Sequence, residues 1–283
     1  MAMQSEFIPC ITSEAGFALT AADWSAMGVR TLAFDMNALL IKPGFELLGQ
    51  ISSLAHYVSW SDEIVLNACR LHVDAKGDCL IRSPFDGQIN RFRRHDLITL
   101  MQHLQPKMLI IPTSFMAEMP ESFPHEIQLF VKMEPNFTCS EHELGRIHGF
   151  YYAIDTERLD FHALAVLREK YKTKKIYVQG EFSLSMQQRL VAAGVNYIES
   201  GTPGTDAMQG SVYSRDTAYS VLDEDKRMCF TRVDSRCGCP TCSAGFTWAY
   251  LHHLFTQTPG LCQRLLIQHN IHYVLSFITH QIQ

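Results

Sequence analysis

A repeated pattern of strand, helix and strand constrains the fold of this chain more than any other feature. Its clearest copy lies in residues 175–200, where the apolar residues 176–178 predict a short buried strand. Ser183 is a typical helix N-cap, Gly194 ends the helix that follows, and residues 195–198 predict the next strand. Because two strands joined by a helix are parallel and cross over in the right-handed sense, the pattern predicts a parallel sheet.

Similar strands are predicted along most of the chain. They fall at residues 7–11, 31–34, 64–66, 108–111, 128–131 and 150–154, with helices that include residues 94–104 and 159–171 between them. Together with the two strands above, the total is about eight, the number that a (β/α)8 barrel needs. The sequence therefore predicts an α/β protein with a TIM (β/α)8 barrel, and a doubly wound open sheet is the alternative.

The pattern changes after residue 200, and this change sets the predicted domain boundary. Residues 201–210 are rich in Gly, Thr and Pro, which predicts a loop. Clustered cysteines follow in residues 237–242, and helices are predicted at residues 247–256 and 261–279. We therefore expect a barrel over residues 1–210 and a zinc-binding subdomain over residues 211–283.

Charge and hydropathy narrow the classes of function. The 283 residues carry 24 Lys and Arg against 29 Asp and Glu, so the chain lacks the basic excess typical of proteins that bind nucleic-acid phosphates. The densest basic segments, residues 91–94 and 168–175, are interpreted as solvated faces. No apolar run approaches the ~18 residues of a membrane span, and no secretory signal is visible. We expect a cytoplasmic protein that does not associate with membranes.

Three of the nine cysteines lie within six residues, at Cys237, Cys239 and Cys242. Thiolates at this spacing can converge on one ion, and Zn²⁺ favours four sulfur or nitrogen ligands in tetrahedral geometry. Four protein ligands leave no open position, so a structural site is expected rather than a catalytic one. The residues alone leave the fourth ligand open among His252, His253, Cys262, His269 and His272.

Three motifs follow one another in the C-terminal segment. They are Cys-x-Cys-x2-Cys in residues 237–242, Ala-Tyr-Leu-His-His-Leu in residues 249–254, and the pair His269-Asn270. Together they strongly resemble the zinc subdomain of the tRNA-guanine transglycosylases, the family that includes the queuine tRNA-ribosyltransferases. The resemblance implies a structural Zn²⁺ held by Cys237, Cys239, Cys242 and His269.

Weaker similarity extends upstream over nearly the whole chain. Residues 39–44 resemble the family's Leu-x-Leu-Arg-Pro-Gly segment, and residues 81–87 resemble its Phe-Arg-Ser-His-Ile-Asp-Gly segment. Residues 177–200 resemble, without gaps, its Tyr-Leu-Met-Gly-Val-Gly unit and the strand that carries its nucleophile. The resemblance implies a TIM barrel with a zinc subdomain and a link to queuosine-type tRNA modification. The chain is shorter than typical members, mainly between residues 113 and 176.

The family exchanges guanine in tRNA for a 7-deazaguanine through a covalent intermediate on an aspartate. A second aspartate transfers protons, and a third reads the purine edge. The resemblance places these three roles on Glu199, Asn67 and Thr113, respectively. Glu199 keeps a carboxylate with one additional methylene, whereas Asn67 cannot accept a proton and Thr113 is not acidic.

Other positions of the family's site also differ. The aromatic residue that stacks on the purine becomes Leu71, and the family's fifth-strand glutamine falls near Met133. The family's arginine-containing loop becomes residues 203–210, which contain no Arg, and the Arg before Ala-Tyr becomes Trp248. Because barrel enzymes place their chemistry at strand ends, these differences indicate a pocket that no longer performs the family reaction.

Three functions fit these observations. The first is a non-catalytic or accessory protein that acts with an authentic transglycosylase subunit or as a homodimer, and that binds tRNA only weakly or through its partner. The second is an active transglycosylase with Glu199 as nucleophile. The third is a binding module for a free base. A reaction other than the family's is also possible, because carboxylates lie at or just beyond predicted strand ends. These carboxylates are Asp35, Asp155, Glu181 and Glu199.

Overall fold

The computed structural model describes residues 5–74, 76–123, 126–134, 139–154 and 160–280. Within these residues the strands are β1 (Glu6–Pro9), β2 (Thr31–Asp35), β3 (Glu63–Asn67), β4 (Asp78–Arg82), β5 (Ile89–Arg93), β6 (Met108–Ile111), β7 (Gln128–Lys132), β8 (Gly149–Ile154), β9 (Lys175–Gly180), β10 (Tyr197–Ser200), β11 (Ser211–Ser214) and β12 (Thr217–Ser220). The α-helices are α1 (Glu14–Phe17), α2 (Ala21–Ala26), α3 (Met36–Leu39), α4 (Phe45–Leu48), α5 (Leu54–Tyr57), α6 (Arg94–His103), α7 (Glu141–Arg146), α8 (Phe161–Lys170), α9 (Leu184–Ala192), α10 (Thr202–Met208), α11 (Pro240–Ser243), α12 (Trp248–Gln257) and α13 (Pro259–His280).

Eight of these strands form one sheet in the order β1-β10-β9-β8-β7-β6-β3-β2. Neighbours follow the order of the chain, and the last of the eight strands lies beside the first. A doubly wound sheet would instead reverse its strand order part of the way along. The order is that of a (β/α)8 barrel, with β1 and β2 at its two ends. The predicted α/β class and TIM-barrel fold are therefore confirmed.

Continuous burial explains why the eight strands could be recognised in the sequence. All four residues of β6 are buried, as are the last four residues of β3. Strands that are covered on both faces consist of unbroken apolar runs rather than alternating ones. The structure accordingly places each predicted strand within two or three residues of its expected limits.

Side chains cap the starts of several helices, among them the predicted helices α9 and α12. Thr20 forms a capping box with Asp23 at the start of α2, and the Ser183 hydroxyl accepts a 3.3 Å hydrogen bond from the Met186 N–H at the start of α9. Thr247 caps α12 in the same way. Each cap satisfies an amide that the first helical turn leaves unpaired.

The loop predicted for residues 201–210 is wrong, because this segment contains helix α10. Gly and Thr are weak helix formers, but Pro203 lies in the first turn, where its fixed φ suits a helix. The Ser200 hydroxyl accepts a 3.2 Å hydrogen bond from the Thr202 N–H. Gly204 is buried, and a Cβ there would lie 2.7 Å from the Cβ of Ala15. Close packing thus supports a helix that local propensity disfavours.

The chain divides into two compact units. One unit consists of Met1–Arg30, Ile154–Asp160 and Gly180–Gln283, and it contains the antiparallel hairpin β11–β12. The other consists of Thr31–Ala153 and Phe161–Gln179, and it contains the antiparallel hairpin β4–β5. The boundary after residue 210 stays a prediction. No helix in the described part of the chain is both long and apolar enough to cross a bilayer.

Candidate metal centre and candidate active-site residues

Two helices bring three thiols and one imidazole together in the first unit. Cys237 and Cys239 precede the short helix α11, which contains Cys242, and His269 lies within the long helix α13. The Cys239 sulfur caps α11 by accepting a 3.3 Å hydrogen bond from the Cys242 N–H. All four ligand atoms lie within 4.8 Å of one another. The short turn therefore points three sulfurs toward one face of α13.

The spacing of these atoms fits a tetrahedral ion. The Nδ1 atom of His269 lies 3.8 Å from the sulfur of Cys237, 3.5 Å from that of Cys239 and 3.3 Å from that of Cys242. In a tetrahedral zinc site with bonds of about 2.3 Å to sulfur and about 2.0 Å to nitrogen, the nitrogen lies about 3.5 Å from each sulfur. Three of the four residues are buried, and Cys237 is half-buried. The cluster could therefore hold a metal ion.

The orientation of His269 is set by a backbone carbonyl. Its Nε2 atom lies 2.7 Å from the carbonyl oxygen of Tyr213, which can only accept a hydrogen bond. Nε2 therefore carries a proton, and the lone pair of Nδ1 faces the sulfurs when the imidazole is neutral. Histidines that bind metals commonly use such a partner to fix the ring.

The neighbouring Asn270 holds the strand that supplies this carbonyl. Its Oδ1 accepts a 3.0 Å hydrogen bond from the Tyr213 N–H, and its Nδ2 donates to the carbonyls of Pro203 at 3.1 Å and Ser211 at 2.9 Å. The side chain is fully buried. Asn270 thus fixes the segment that orients His269.

Hydrogen bonds within the cluster shift the pKa values of its members. Burial lowers the pKa of His269, but hydrogen bonds with Cys237 and Cys242 outweigh burial and raise this pKa to about 10. Hydrogen bonds from Cys239 and Cys242 lower the pKa of the Cys237 thiol. Sulfurs that share negative charge in this way hold a proton on the imidazole, and a bound cation would displace that proton.

The other residues that could have supplied the fourth ligand have different partners. His252 Nδ1 lies 2.8 Å from the Val221 carbonyl, and His272 Nδ1 lies 3.2 Å from the Met27 carbonyl. Cys262 donates its thiol to the Leu251 carbonyl at 3.3 Å. His253 is not part of the cluster. The structure therefore brings His269, among the five candidates, to the three sulfurs.

Asn67 ends β3 and is held by neutral groups of the second unit. Its Oδ1 accepts a 3.0 Å hydrogen bond from the Cys69 N–H, and its Nδ2 donates to the Tyr151 hydroxyl at 3.2 Å and to Gln179 Oε1 at 3.4 Å. Tyr151 also donates to Gln179. Asn67 is buried. The amide is therefore fixed by interactions at both of its ends.

Thr113 lies beside the carboxylate of Glu134, a residue to which the sequence analysis assigned no role. It follows β6, and its hydroxyl donates a 3.2 Å hydrogen bond to Glu134 Oε2, just beyond β7. Glu134 is exposed, and the neighbouring Met133 donates its N–H to the Tyr151 carbonyl. The position of Glu134 just after a predicted strand could have identified it as a candidate site residue. The carboxyl ends of adjacent parallel strands meet at one edge of a sheet, where barrel enzymes place their functional groups.

Asp35 has a structural role in the same unit. It ends β2, where its Oδ1 caps α3 by accepting a 3.0 Å hydrogen bond from the Ala38 N–H. Its other oxygen lies 3.5 Å from Nε of the exposed Arg70. The aromatic position assigned to Leu71 is buried. Asp155 lies outside the described residues.

Glu199 lies in β10 of the first unit, where it pairs in register with Ile8 of β1. Glu199 is buried, with only 2% of its surface exposed. In the same unit, Glu181 Oε2 accepts a 2.9 Å hydrogen bond from the hydroxyl of Thr202, the first residue of α10. Asp206 of α10 accepts a 2.5 Å hydrogen bond from the Tyr213 hydroxyl. The unit therefore retains a buried carboxylate at the predicted nucleophile position.

Trp248 belongs to the core of the first unit, which contains the cysteine–histidine cluster. It is 7% exposed, and its ring packs edge-on against Tyr219 with centroids 6.3 Å apart. The position that the resemblance assigns to the family's arginine is thus held by a packed aromatic residue. Helix α10, the counterpart of the arginine-containing loop, carries Asp206 and no basic residue.

The sequence is similar to queuine tRNA-ribosyltransferases. The profile of the family described as queuine tRNA-ribosyltransferase matches residues 155–281. The queuine tRNA-ribosyltransferase of Thermotoga petrophila is 23% identical over 318 aligned residues, covering 96% of this chain and 84% of that protein. That of Dehalococcoides mccartyi is 22% identical, with coverage of 95% and 79%.

These matches extend from the zinc-subdomain motifs over nearly the full length of the chain, as the resemblance of the upstream segments predicted. The eight-stranded barrel order and the cluster of three cysteines and one histidine agree with them. The sequence matches, the strand order and the cluster together support a member of the tRNA-guanine transglycosylase family, the family of the queuine tRNA-ribosyltransferases.

Proposed function

We propose that this chain is a non-catalytic, accessory member of its family that serves queuosine-type tRNA modification. The observation that carries the proposal is Asn67, at the position that the resemblance assigns to proton transfer. A carboxylate there can accept and return a proton, whereas an amide has no useful basicity near neutral pH. The hydrogen bonds of Asn67 to Cys69, Tyr151 and Gln179 further support a structural role.

A partner would supply what this chain lacks. The family reaction needs carboxylates for attack and proton transfer, and tRNA binding needs cations for phosphate contacts. Here the net charge is −5, and α10 carries Asp206 in place of the family's arginines. The partner would be an authentic transglycosylase subunit, and the chain would contact tRNA only weakly without it. A homodimer would lack the same groups in both copies.

The metal would have a structural role in this protein. Cys237, Cys239, Cys242 and His269 would hold Zn²⁺, which would cross-link α11 to α13. Four protein ligands leave no position for water or substrate, so the ion would stabilise the fold. Metal binding at such sites contributes directly to folding free energy.

The test is a base-exchange assay with labelled guanine and tRNA, performed with the chain alone and with a queuine tRNA-ribosyltransferase from the same cell. The proposal predicts no exchange by the chain alone and an increase in the partner's exchange rate when the chain is added. A matched control replaces the chain with its His269→Ala variant, which should lose zinc and the stimulation. Exchange by the chain alone would overturn the proposal.

The second candidate function is an active transglycosylase, and two observations favour it. Glu199 keeps a buried carboxylate at the nucleophile position, and Glu134 brings a carboxylate to the hydroxyl of Thr113. These could supply the attacking group and the group that reads the base. Exchange by the chain alone that disappears in Glu199→Ala and in Glu134→Gln would establish this function instead.

A further inference from the structure

Polar side chains line the amino-terminal ends of four neighbouring strands in the second unit. Lys107 precedes β6, Gln128 begins β7, His148 precedes β8 and Lys175 begins β9. Backbone hydrogen bonds fix this row, from Gln128 N to Lys107 O at 2.8 Å and from Lys175 N to His148 O at 3.0 Å. These ends are opposite to the carboxyl ends that carry Asn67, so the row is separate from the candidate active-site residues.

A cavity of about 400 Å³ opens beside this row. Its volume lies within the range of about 300–1,000 Å³ that is typical of small-molecule sites. Lys107, Gln128 and His148 line its polar side, and Phe123 and Ile127 contribute apolar surface. The cavity thus offers hydrogen-bond donors next to a surface that suits an organic group.

The carboxylates that line the cavity neutralise its cations only weakly. Glu126 lies 3.6 Å from Lys107, but its side chain is 97% exposed. Glu121 lies 3.7 Å from Arg146 and is 72% exposed. Ion pairs of such exposed groups contribute little because water screens them. The Lys107 ammonium is therefore held only weakly by Glu126 and is available to a bound anion.

Two neutral side chains of the row are oriented as donors. His148 Nδ1 accepts a 3.1 Å hydrogen bond from the Leu129 N–H, which leaves the ring proton on Nε2. Gln128 Oε1 accepts a 3.3 Å hydrogen bond from Lys175, which leaves its Nε2 group as a donor. Burial and the charges of Lys174, Lys175 and Lys107 lower the pKa of His148. The same positive charges would stabilise an anion bound beside the imidazole.

We propose that this cavity binds a phosphate-bearing small molecule. Lys107, the Nε2–H of His148 and the side-chain amide of Gln128 would contact the phosphate, and Phe123 and Ile127 would contact the organic group. The Arg146 guanidinium, which donates to the carbonyls of Met119 and Pro120 at 2.6 and 2.7 Å, would hold the wall of the cavity in place. This site is independent of the proposed accessory role.

Isothermal titration calorimetry tests the site with two probes, inorganic phosphate and ribose 5-phosphate, at constant ionic strength. We expect saturable binding of both, with ribose 5-phosphate binding more tightly because it also contacts the apolar surface. Lys107→Gln should weaken binding by about tenfold, the effect of losing one charge-assisted hydrogen bond. Lys172→Gln is the matched control, because Lys172 is 71% exposed and paired with Glu169 outside the cavity.

A second variant separates binding from folding. Gln128→Glu places a negative charge toward the phosphate while Lys175 can still pair with the new carboxylate, so binding should be lost in a folded protein. Circular dichroism would verify the fold of every variant. Absence of saturable binding by the wild type, equal binding by Lys107→Gln and wild type, or equal binding of citrate and ribose 5-phosphate would each overturn the proposal.

Discussion

Truncation of Asn270 should strongly destabilise the unit that contains the metal cluster. In Asn270→Ala, the Tyr213 N–H loses its acceptor, and the carbonyls of Pro203 and Ser211 lose a donor. The site is fully buried, so water cannot replace the lost partners without structural change.

The magnitude follows from the number of groups left unpaired. A buried unpaired donor or acceptor costs about 1–3 kcal/mol, although a carbonyl that retains another partner costs less. Three such groups indicate a loss of about 3–5 kcal/mol in the free energy of unfolding. For a chain of this size, each kcal/mol lowers the melting temperature by about 2–4 °C, so a decrease of about 10 °C is expected.

The measurement is urea denaturation monitored by circular dichroism, with zinc content determined on the same samples. Asn90→Ala is the matched control, because Asn90 is a half-buried residue of the hairpin β4–β5 in the other unit. The control should change the free energy of unfolding by less than about 1 kcal/mol. An equally small change in Asn270→Ala would refute the reasoning.

The remaining predictions concern packing, charge and tRNA. Gly204→Ala should destabilise the fold by about 1–3 kcal/mol in thermal melts because its Cβ would meet Ala15, whereas Gly145→Ala, with nothing within 4 Å of the added Cβ, should be neutral or slightly stabilising. Burial raises the pKa of Asp23, but hydrogen bonds from Arg264 and Thr20 outweigh burial and lower it. Because the pKa is lower in the folded state, this stabilisation is present above the unfolded pKa of about 3.9 and is lost as pH falls through the folded value. Arg264→Gln should therefore raise the pKa of Asp23, measured by NMR titration, and reduce the acid dependence of stability. The chain alone should bind tRNA no more tightly than micromolar at physiological salt, and salt-resistant, anticodon-dependent binding in filter assays would contradict this expectation.

The barrel could be predicted because its strands are short, apolar and separated by capped helices. The runs in β6 and β9 are visible without any knowledge of their neighbours, since both faces of a parallel sheet are covered. Helix α10 could not be predicted, because its stability depends on the approach of Gly204 to Ala15, which are distant in the chain. Hairpin β4–β5 was missed because its exposed strands mix charged and apolar residues.

In the candidate sites too, local sequence predicted some features, while others depend on contacts between distant residues. Spacing alone identified three sulfur donors, but the choice of His269 among five residues depended on the resemblance and on how α13 packs against α11. The partners of Asn67 could not be predicted, because Tyr151 and Gln179 lie 84 and 112 residues further along the chain. Contacts of this range depend on how strands that are distant in the chain come together in the sheet rather than on local pattern.

The most direct test of the proposed non-catalytic role is covalent trapping on tRNA. A family nucleophile forms a covalent bond to the ribose, so an active chain incubated with labelled tRNA would give an adduct that survives denaturing electrophoresis. The proposal predicts no adduct with the chain alone and none with Glu199→Ala, while an authentic queuine tRNA-ribosyltransferase gives one under the same conditions. An adduct formed by the wild-type chain and absent in Glu199→Ala would contradict the proposal.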